Sequence, residues 1–235
     1  MLNRIITLDE VDSTNNYLKL NRGELPDGTL VTARIQTAGK GRRGHEWLAD
    51  QGMLPLSLLL KQPPHPDTLT LCAGVAVCEA LEPLLPGEEL GIKWPNDIIL
   101  HGHKLCGILC ESVCFGSSMD IVCGIGVNLA QTAEFFEKAN IPHGGSVEML
   151  TGVTINDRDK LAEDIAERLY SYSRSGFESV REKYVKRCLT VGKKIRIIEN
   201  GSEREAFAEG IAPNGFLVCS DETGRFEVNS GEVSV

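Results

Sequence analysis

Residues 90–127 read LGIKWPNDIILHGHKLCGILCESVCFGSSMDIVCGIGV, and the punctuation of this stretch decides the fold. Four apolar runs, at 90–94, 97–100, 104–113 and 119–127, are separated by turns too short to hold a helix. Strands joined this way run antiparallel, because a parallel pair needs a crossover of about a dozen residues or more. In the third run Cys106, Ile108 and Cys110 share one face, which marks that face as core.

Working outward, residues 3–8 alternate as a strand does, and Ser13 is placed to cap a short helix, TNNYLKLN, that ends at Gly23. Residues 29–36 are rich in β-branched side chains, and 53–60 form an apolar run; both read as strands. The period of residues 67–85 predicts a helix with an apolar stripe at Leu71, Val75, Cys78, Leu81 and Leu85. Residues 156–188 are mostly helical, broken at Ser175-Gly176. Beyond 188 the texture changes to short strands separated by Asn-Gly-Ser, Pro-Asn-Gly and Glu-Thr-Gly turns. The expected fold is α+β. A mixed, mainly antiparallel sheet with helices spans 1–188, and a small barrel-like β-domain spans 189–235.

Composition bounds the function. The chain has 235 residues, 42% of them hydrophobic and 24% charged, which excludes a disordered or fibrous protein. Its net charge of −9 argues against DNA as a general partner. No apolar run approaches the roughly 20 residues of a membrane helix. The N-terminal MLNRIITLDEVDST carries charges where a secretion signal keeps its apolar core, so the expected compartment is the cytoplasm. The eight cysteines are then expected as thiols. Cys106, Cys110 and Cys114 are spaced C-x3-C-x3-C, without the paired spacing of zinc sites. The five histidines read as loop residues with no acid–base partner.

Two clusters carry chemistry. Gly39-Lys40-Gly41-Arg42-Arg43-Gly44 formally matches the dinucleotide pattern G-x-G-x-x-G, but no helix opens inside it and no βαβ unit follows. It is also not a phosphate-binding P-loop, since Lys40 precedes Gly41 and not Ser or Thr. What remains is a long loop, 37–52, concentrating three cations in an acidic chain. That suits an anion such as phosphate or carboxylate, or simply a solvated surface. The second cluster is Lys93-Trp94-Pro95-Asn96-Asp97, followed by Lys104 and the segment Gly124-Ile125-Gly126-Val127-Asn128. Both lysines adjoin strand residues, where side chains are held more firmly than on loops.

Together these segments resemble the biotin protein ligases, also called biotin–[acetyl-CoA-carboxylase] ligases. The resemblance runs from Ser13-Thr14-Asn15 through QTAGKGRRG, Trp47, KWPNDI, KLCGILCE and GIGVNL to Ser230-Gly231-Glu232-Val233-Ser234. It implies a catalytic domain like that of class II synthetases, followed by an SH3-like β-barrel. It also implies two half-reactions. Biotin and ATP give biotinyl-5′-AMP and pyrophosphate, and a lysine of a biotin carboxyl carrier domain then takes the biotin. The resemblance makes Lys104 and Arg42 catalytic. It puts Ser13, Thr14, Asn15, Gln36, Gly39, Lys40, Gly41, Arg42, Lys104 and Gly107 at biotin. It puts Arg43, Trp47, Lys93, Asn96, Ile108 and Asn128, again with Arg42, at the ATP or adenylate. Mg²⁺ would enter with ATP, with Asp97 read equally as its ligand or as a turn residue. The family usually carries Arg where this chain has Lys40, which keeps charge but loses bidentate pairing. Some members begin with a DNA-binding helix-turn-helix domain, whereas the motifs here begin at residue 13, so no DNA contact is expected. Family members include monomers and dimers, leaving a homodimer open. The rival within the superfamily is a lipoate or octanoate ligase or transferase, which would need an elongated apolar slot.

Overall fold

The computed structural model describes residues 2–116, 118–199 and 202–234. Its main sheet has seven strands. β1 (Arg4–Val11) leads through α1 (Thr14–Asn21) to β2 (Thr29–Gln36), and β3 (Met53–Lys61) follows the glycine-rich loop. After α2 (Leu69–Leu81) come β4 (Gly91–Lys93), β5 (Asp97–Leu100), β6 (His103–Phe115) and β7 (Ser118–Asn128). The order across the sheet is β1-β2-β3-β7-β6-β5-β4. Only β1 and β2, joined through α1, pair in parallel; every other neighbour is antiparallel. The meander expected over 90–127 is therefore the β4-to-β7 half of the sheet.

One expectation needs correcting. Residues 67–85 are not one amphipathic helix: α2 occupies the middle and a single 3₁₀ turn flanks each end. Nor is α2 striped, since all its residues except Thr70 and Glu79 are buried. The helix lies between the sheet and α5 (Arg158–Ser175), so both its sides meet apolar surface. Burial pushes the Cys72 and Cys78 thiols on α2 up to about 12, as befits core thiols. Two short helices not anticipated from the sequence, α3 (Ala133–Lys138) and α4 (Val147–Thr151), precede α5. The break at Gly176 separates α5 from α6 (Arg181–Arg187).

The second sheet has five antiparallel strands: β8 (Lys194–Glu199), β9 (Ser202–Ile211), β10 (Leu217–Asp221), β11 (Gly224–Val228) and β12 (Glu232–Ser234). Their order is β11-β10-β9-β8-β12. The expected Asn200-Gly201 turn lies outside the described residues. One apolar core runs from the main sheet and α2 into this second sheet, through Ile195, Ala208 and Leu217. Polar bonds cross the same junction. Trp94, only 2% exposed, donates its indole N–H to Gly215 O at 3.1 Å. Arg181 Nη2 donates to Ile211 O at 2.8 Å.

Trp94→Phe keeps a six-membered aromatic ring but removes the pyrrole part of the indole, leaving the Gly215 carbonyl without its partner in a dry site. The substitution should cost about 1–3 kcal/mol, read as a lowered midpoint in urea unfolding.

Candidate functional site

The main sheet and the second sheet enclose a cavity of about 370 Å³ at the ends of β2, β4 and β6. It collects Ser13, Thr14 and Asn15, Gln36, the loop from Lys40 to Trp47, the turn from Lys93 to Asp97, and Lys104, Gly107 and Ile108. Sites of this size suit a small-molecule ligand. The two clusters that the sequence places 54 residues apart meet here directly, because Arg42 Nη1 donates to Asn96 Oδ1 at 3.0 Å.

Strand geometry places Lys104. Strict alternation along β6 would set Lys104 on the face of Cys106, inside the core. The β5–β6 pairing instead slips, with Ile98 opposite Cys106 and Ile99 opposite Lys104. Leu105 is the extra residue of this bulge, so Leu105 and Cys106 are both fully buried while Lys104 turns to the cavity. There Lys104 Nζ forms an ion pair with Asp97 Oδ1 at 2.7 Å. Asn96 Nδ2 donates to the same oxygen at 3.0 Å, and Ile108 N donates to Asn96 O.

The glycines of the two strand motifs serve one side chain. Gly107 and Gly126 face each other across β6 and β7, and the Trp47 indole lies over them. A methyl group on Gly107 would come within 2.7 Å of Trp47 Cζ3, and one on Gly126 within 2.4 Å of Trp47 Nε1. The indole N–H reaches Met53 Sδ at 2.6 Å, and Lys104 Nζ sits 5.3 Å from the ring centre.

The glycine-rich loop is more tied down than its sequence suggests. Gly41 N donates to His45 O and Trp47 N to Gly39 O, giving a small hairpin with an isolated bridge between Lys40 and Glu46. Lys40 Nζ donates to Asn16 Oδ1, and Arg43 Nη1 to Ile198 O of the second sheet. At the other end Thr14 N donates to Gln36 Oε1 at 3.0 Å, and Ser13 caps α1.

Two expected site residues do not reach the cavity. Gly39 lies beneath the loop, where a Cβ would be 2.3 Å from Trp47 O, so it sets the loop's path. Asn128 is buried, with Nδ2 donating to Lys104 O at 3.3 Å and Gly145 O at 3.1 Å, and Oδ1 accepting from Gln131 Nε2. It holds the Lys104 main chain from outside the residues that line the cavity. Of the histidines, His45 lines the cavity, whereas His101 contacts Glu88 Oε2 at 2.6 Å elsewhere. Sequence reasoning missed Ile198 and Val233, cavity residues carried by the second sheet. Among the described residues no three His, Cys, Asp or Glu side chains are grouped to hold a metal ion. No helix among them is long and apolar enough to cross a membrane.

Gly126→Ala forces the rigid indole off its seat. The Trp47 contribution to intrinsic fluorescence should shift to the red as the ring meets water, while far-UV circular dichroism stays unchanged.

A model described as the biotin/lipoate A/B protein ligase family matches residues 8–128, just over half of the chain. The biotin–[acetyl-CoA-carboxylase] ligase of Paracoccus denitrificans is 35% identical over 239 residues, spanning 96% of this chain and 98% of its own. The Mycobacterium tuberculosis ligase of the same name is 33% identical over 219 residues, spanning 88% and 79%. A solved structure of the Aquifex aeolicus biotin protein ligase in complex with biotin and ATP matches with a TM-score of 0.82 and 29% identity, covering 99% of this chain and 98% of that one. Sequence and architecture agree over nearly the whole length, and the chain belongs to the biotin/lipoate A/B protein ligase family.

Proposed function

We propose that the protein is an ATP-dependent biotin ligase, forming biotinyl-5′-AMP and passing the biotin to a lysine of a biotin carboxyl carrier domain. The observation that carries this reading is the charge of the cavity. Among the described residues Lys40, Arg42, Arg43, Lys93 and Lys104 line it with the carboxylates Glu46 and Asp97, in a chain of net charge −9. Such a basin draws anions out of solution and holds them together.

The first half-reaction needs that. A carboxylate must approach the α-phosphorus of a polyanion, and negative charge grows on the phosphate oxygens as the bond forms. Lys104, on a strand and braced by Asp97, supplies a fixed cation where both anions meet. Arg42, Arg43 and Lys93 neutralise the phosphate side, with Asn96 and Ile108 beside them. Arg42 bonds Asn96 Oδ1 and Arg43 bonds Ile198 O, and phosphate oxygens are stronger acceptors than either. Trp47 covers the adenylate. Ser13, Thr14 and Gln36 offer the hydroxyls and amide that a cyclic urea needs, with Lys40, Gly41 and Gly107 alongside. An elongated apolar slot for lipoate has no counterpart in that set.

A Mg²⁺ arriving on the nucleotide needs only one or two protein carboxylates, which fits Asp97 on the cavity wall. Once bound it shares the phosphate charge. Residues 1–188 form the catalytic part in this reading, and residues 189–235 close the cavity from one side.

The decisive experiment incubates the protein with ATP, Mg²⁺ and either biotin or lipoate. Biotin-dependent pyrophosphate release with accumulation of the acyl-adenylate is expected; release with lipoate alone would overturn the reading. Lys104→Ala should slow adenylate formation by about 10²–10³-fold with the fold intact, measured by the same assay. Arg42→Gly should still activate biotin but retain the adenylate poorly, so bystander proteins added to the reaction become biotinylated on exposed lysines. Unchanged bystander labelling would remove Arg42 from that role.

A further inference from the structure

From the Ser13–Gln36 end of the cavity a chain of polar side chains runs back to residues that do not line it, Ser57, Glu111 and Lys19. Lys19 Nζ pairs with Glu111 Oε1 at 2.8 Å, and Asn15 Nδ2 donates to Glu111 Oε2 at 2.8 Å and to Leu109 O at 3.3 Å. Ser57 Oγ lies 2.6 Å from Asn15 Oδ1 and 2.7 Å from Thr14 Oγ1. Thr14 Oγ1 in turn is 3.2 Å from Gln36 Oε1. Asn15, Thr14 and Ser57 are all buried, and Asn15 rests on Gly124, where an added Cβ would be 2.3 Å from its Oδ1.

The direction of every proton in this chain follows from one charge. Glu111 and Leu109 O can only accept, so the Asn15 amide must turn Nδ2 toward them and Oδ1 toward Ser57. Oδ1 can only accept as well, so the single Ser57 proton goes there. The 2.7 Å contact between hydroxyls cannot be left without a proton, so Thr14 donates to Ser57. Gln36 Oε1 already accepts from Thr14 N and lies farther from Thr14 Oγ1, at 3.2 Å, so the shorter Ser57 contact takes the proton. Thr14 is left with a lone pair to offer the cavity, and Gln36 with its Nε2 as a donor. Burial alone would push the Glu111 carboxyl up, but the bonds from Lys19 and Asn15 outweigh it and hold the group below its ordinary value, keeping it charged.

We propose that Glu111 is a positioning residue that sets hydrogen-bond polarity in the cavity, acting through Asn15 and Ser57 so that Thr14 accepts from a ligand N–H. This rests on the biotin reading, since the cyclic urea supplies such an N–H, and it adds a determinant of head-group specificity outside the cavity.

The test is Glu111→Gln. A glutamine has one acceptor for two donors, and the Lys19 charge claims it. Its amide nitrogen then faces Asn15 Nδ2 at the 2.8 Å contact, a closer clash than Asn15 Oδ1 would make with Leu109 O at 3.3 Å, so Asn15 flips. Ser57 then donates to Thr14, and the Thr14 proton turns to the cavity side, where Gln36 Oε1 and the ligand N–H lie. Biotin binding, measured by titration calorimetry without ATP, should weaken by about 10- to 100-fold. In turnover KM for biotin should rise with kcat unchanged. The variant Lys19→Met with Glu111→Gln frees the glutamine oxygen for Asn15, so biotin affinity should recover. Ser57→Ala cuts the relay without touching the ion pair. It should weaken binding by itself and make Glu111→Gln on top of it nearly silent. Wild-type affinity in Glu111→Gln, no recovery in the double variant, or additive losses with Ser57→Ala would each overturn the proposal. Because binding is read without ATP, a chain that binds biotin but forms no adenylate would refute the ligase reading and leave this one standing. A wild-type chain that binds no biotin would sink both.

Discussion

Everything in the site depends on a place where the sheet has no side chains. Gly107 and Gly126 lie opposite each other on β6 and β7, and the space above them is filled by one indole. Trp47 ends the glycine-rich loop, so seating its ring on the sheet fixes where that loop closes. The loop brings Arg42 to Asn96, and Asn96 orients the Asp97 carboxylate that braces Lys104. The hydrogen bonds along this path are individually modest, whereas the clash that a single methyl group would create is not negotiable. A steric constraint, rather than an attraction, is therefore the origin of the arrangement.

The cavity then sets two kinds of electrostatics side by side. At the phosphate end cations are concentrated, and the Asn96 and Ile198 oxygens that Arg42 and Arg43 bond are weaker acceptors than a phosphate. At the head-group end there is one buried-side ion pair, Lys19 with Glu111, and its effect is transmitted by uncharged amides and hydroxyls. Charge provides affinity in the first region and proton direction in the second. The second sheet takes part in both enclosure and anchoring, since Ile198 receives the Arg43 guanidinium and Val233 closes the wall.

Much of this was legible in the sequence. The meander over 90–127, the break at Gly176 and the change of texture after 188 follow from local periodicity and turn chemistry, which the finished fold leaves intact. Lys104, Arg42, Asn96 and Trp47 were identifiable because they sit in motifs. What escaped depends on partners distant in the chain. The all-round burial of α2 needs α5 on its far side. That Gly145 and Gln131 engage the Asn128 amide shows only once the fold brings them to it. Ser57 lies in an unbroken apolar strand and Glu111 in an apparently ordinary one, and only packing against α1 gives either a function. The loop's own hairpin bonds were hidden because its composition carries no strand signal.

The bulge at Leu105 has a consequence for how this protein can change over time. Substitutions near it alter one side chain each, and most leave Lys104 where it is. Gain of a single codon opposite it, between Ile98 and Ile99 on β5, would be different. β6 could still pair with β5 along its whole length, and its composition would stay almost the same. But alternation would become regular, and the ammonium group would turn from the cavity into the apolar layer beneath α2. The reading frame of the strand, not only its residues, carries the position of the reactive cation. Lineages derived from this chain are therefore expected to vary freely in loop length elsewhere while keeping the count of residues between Asp97 and Lys104.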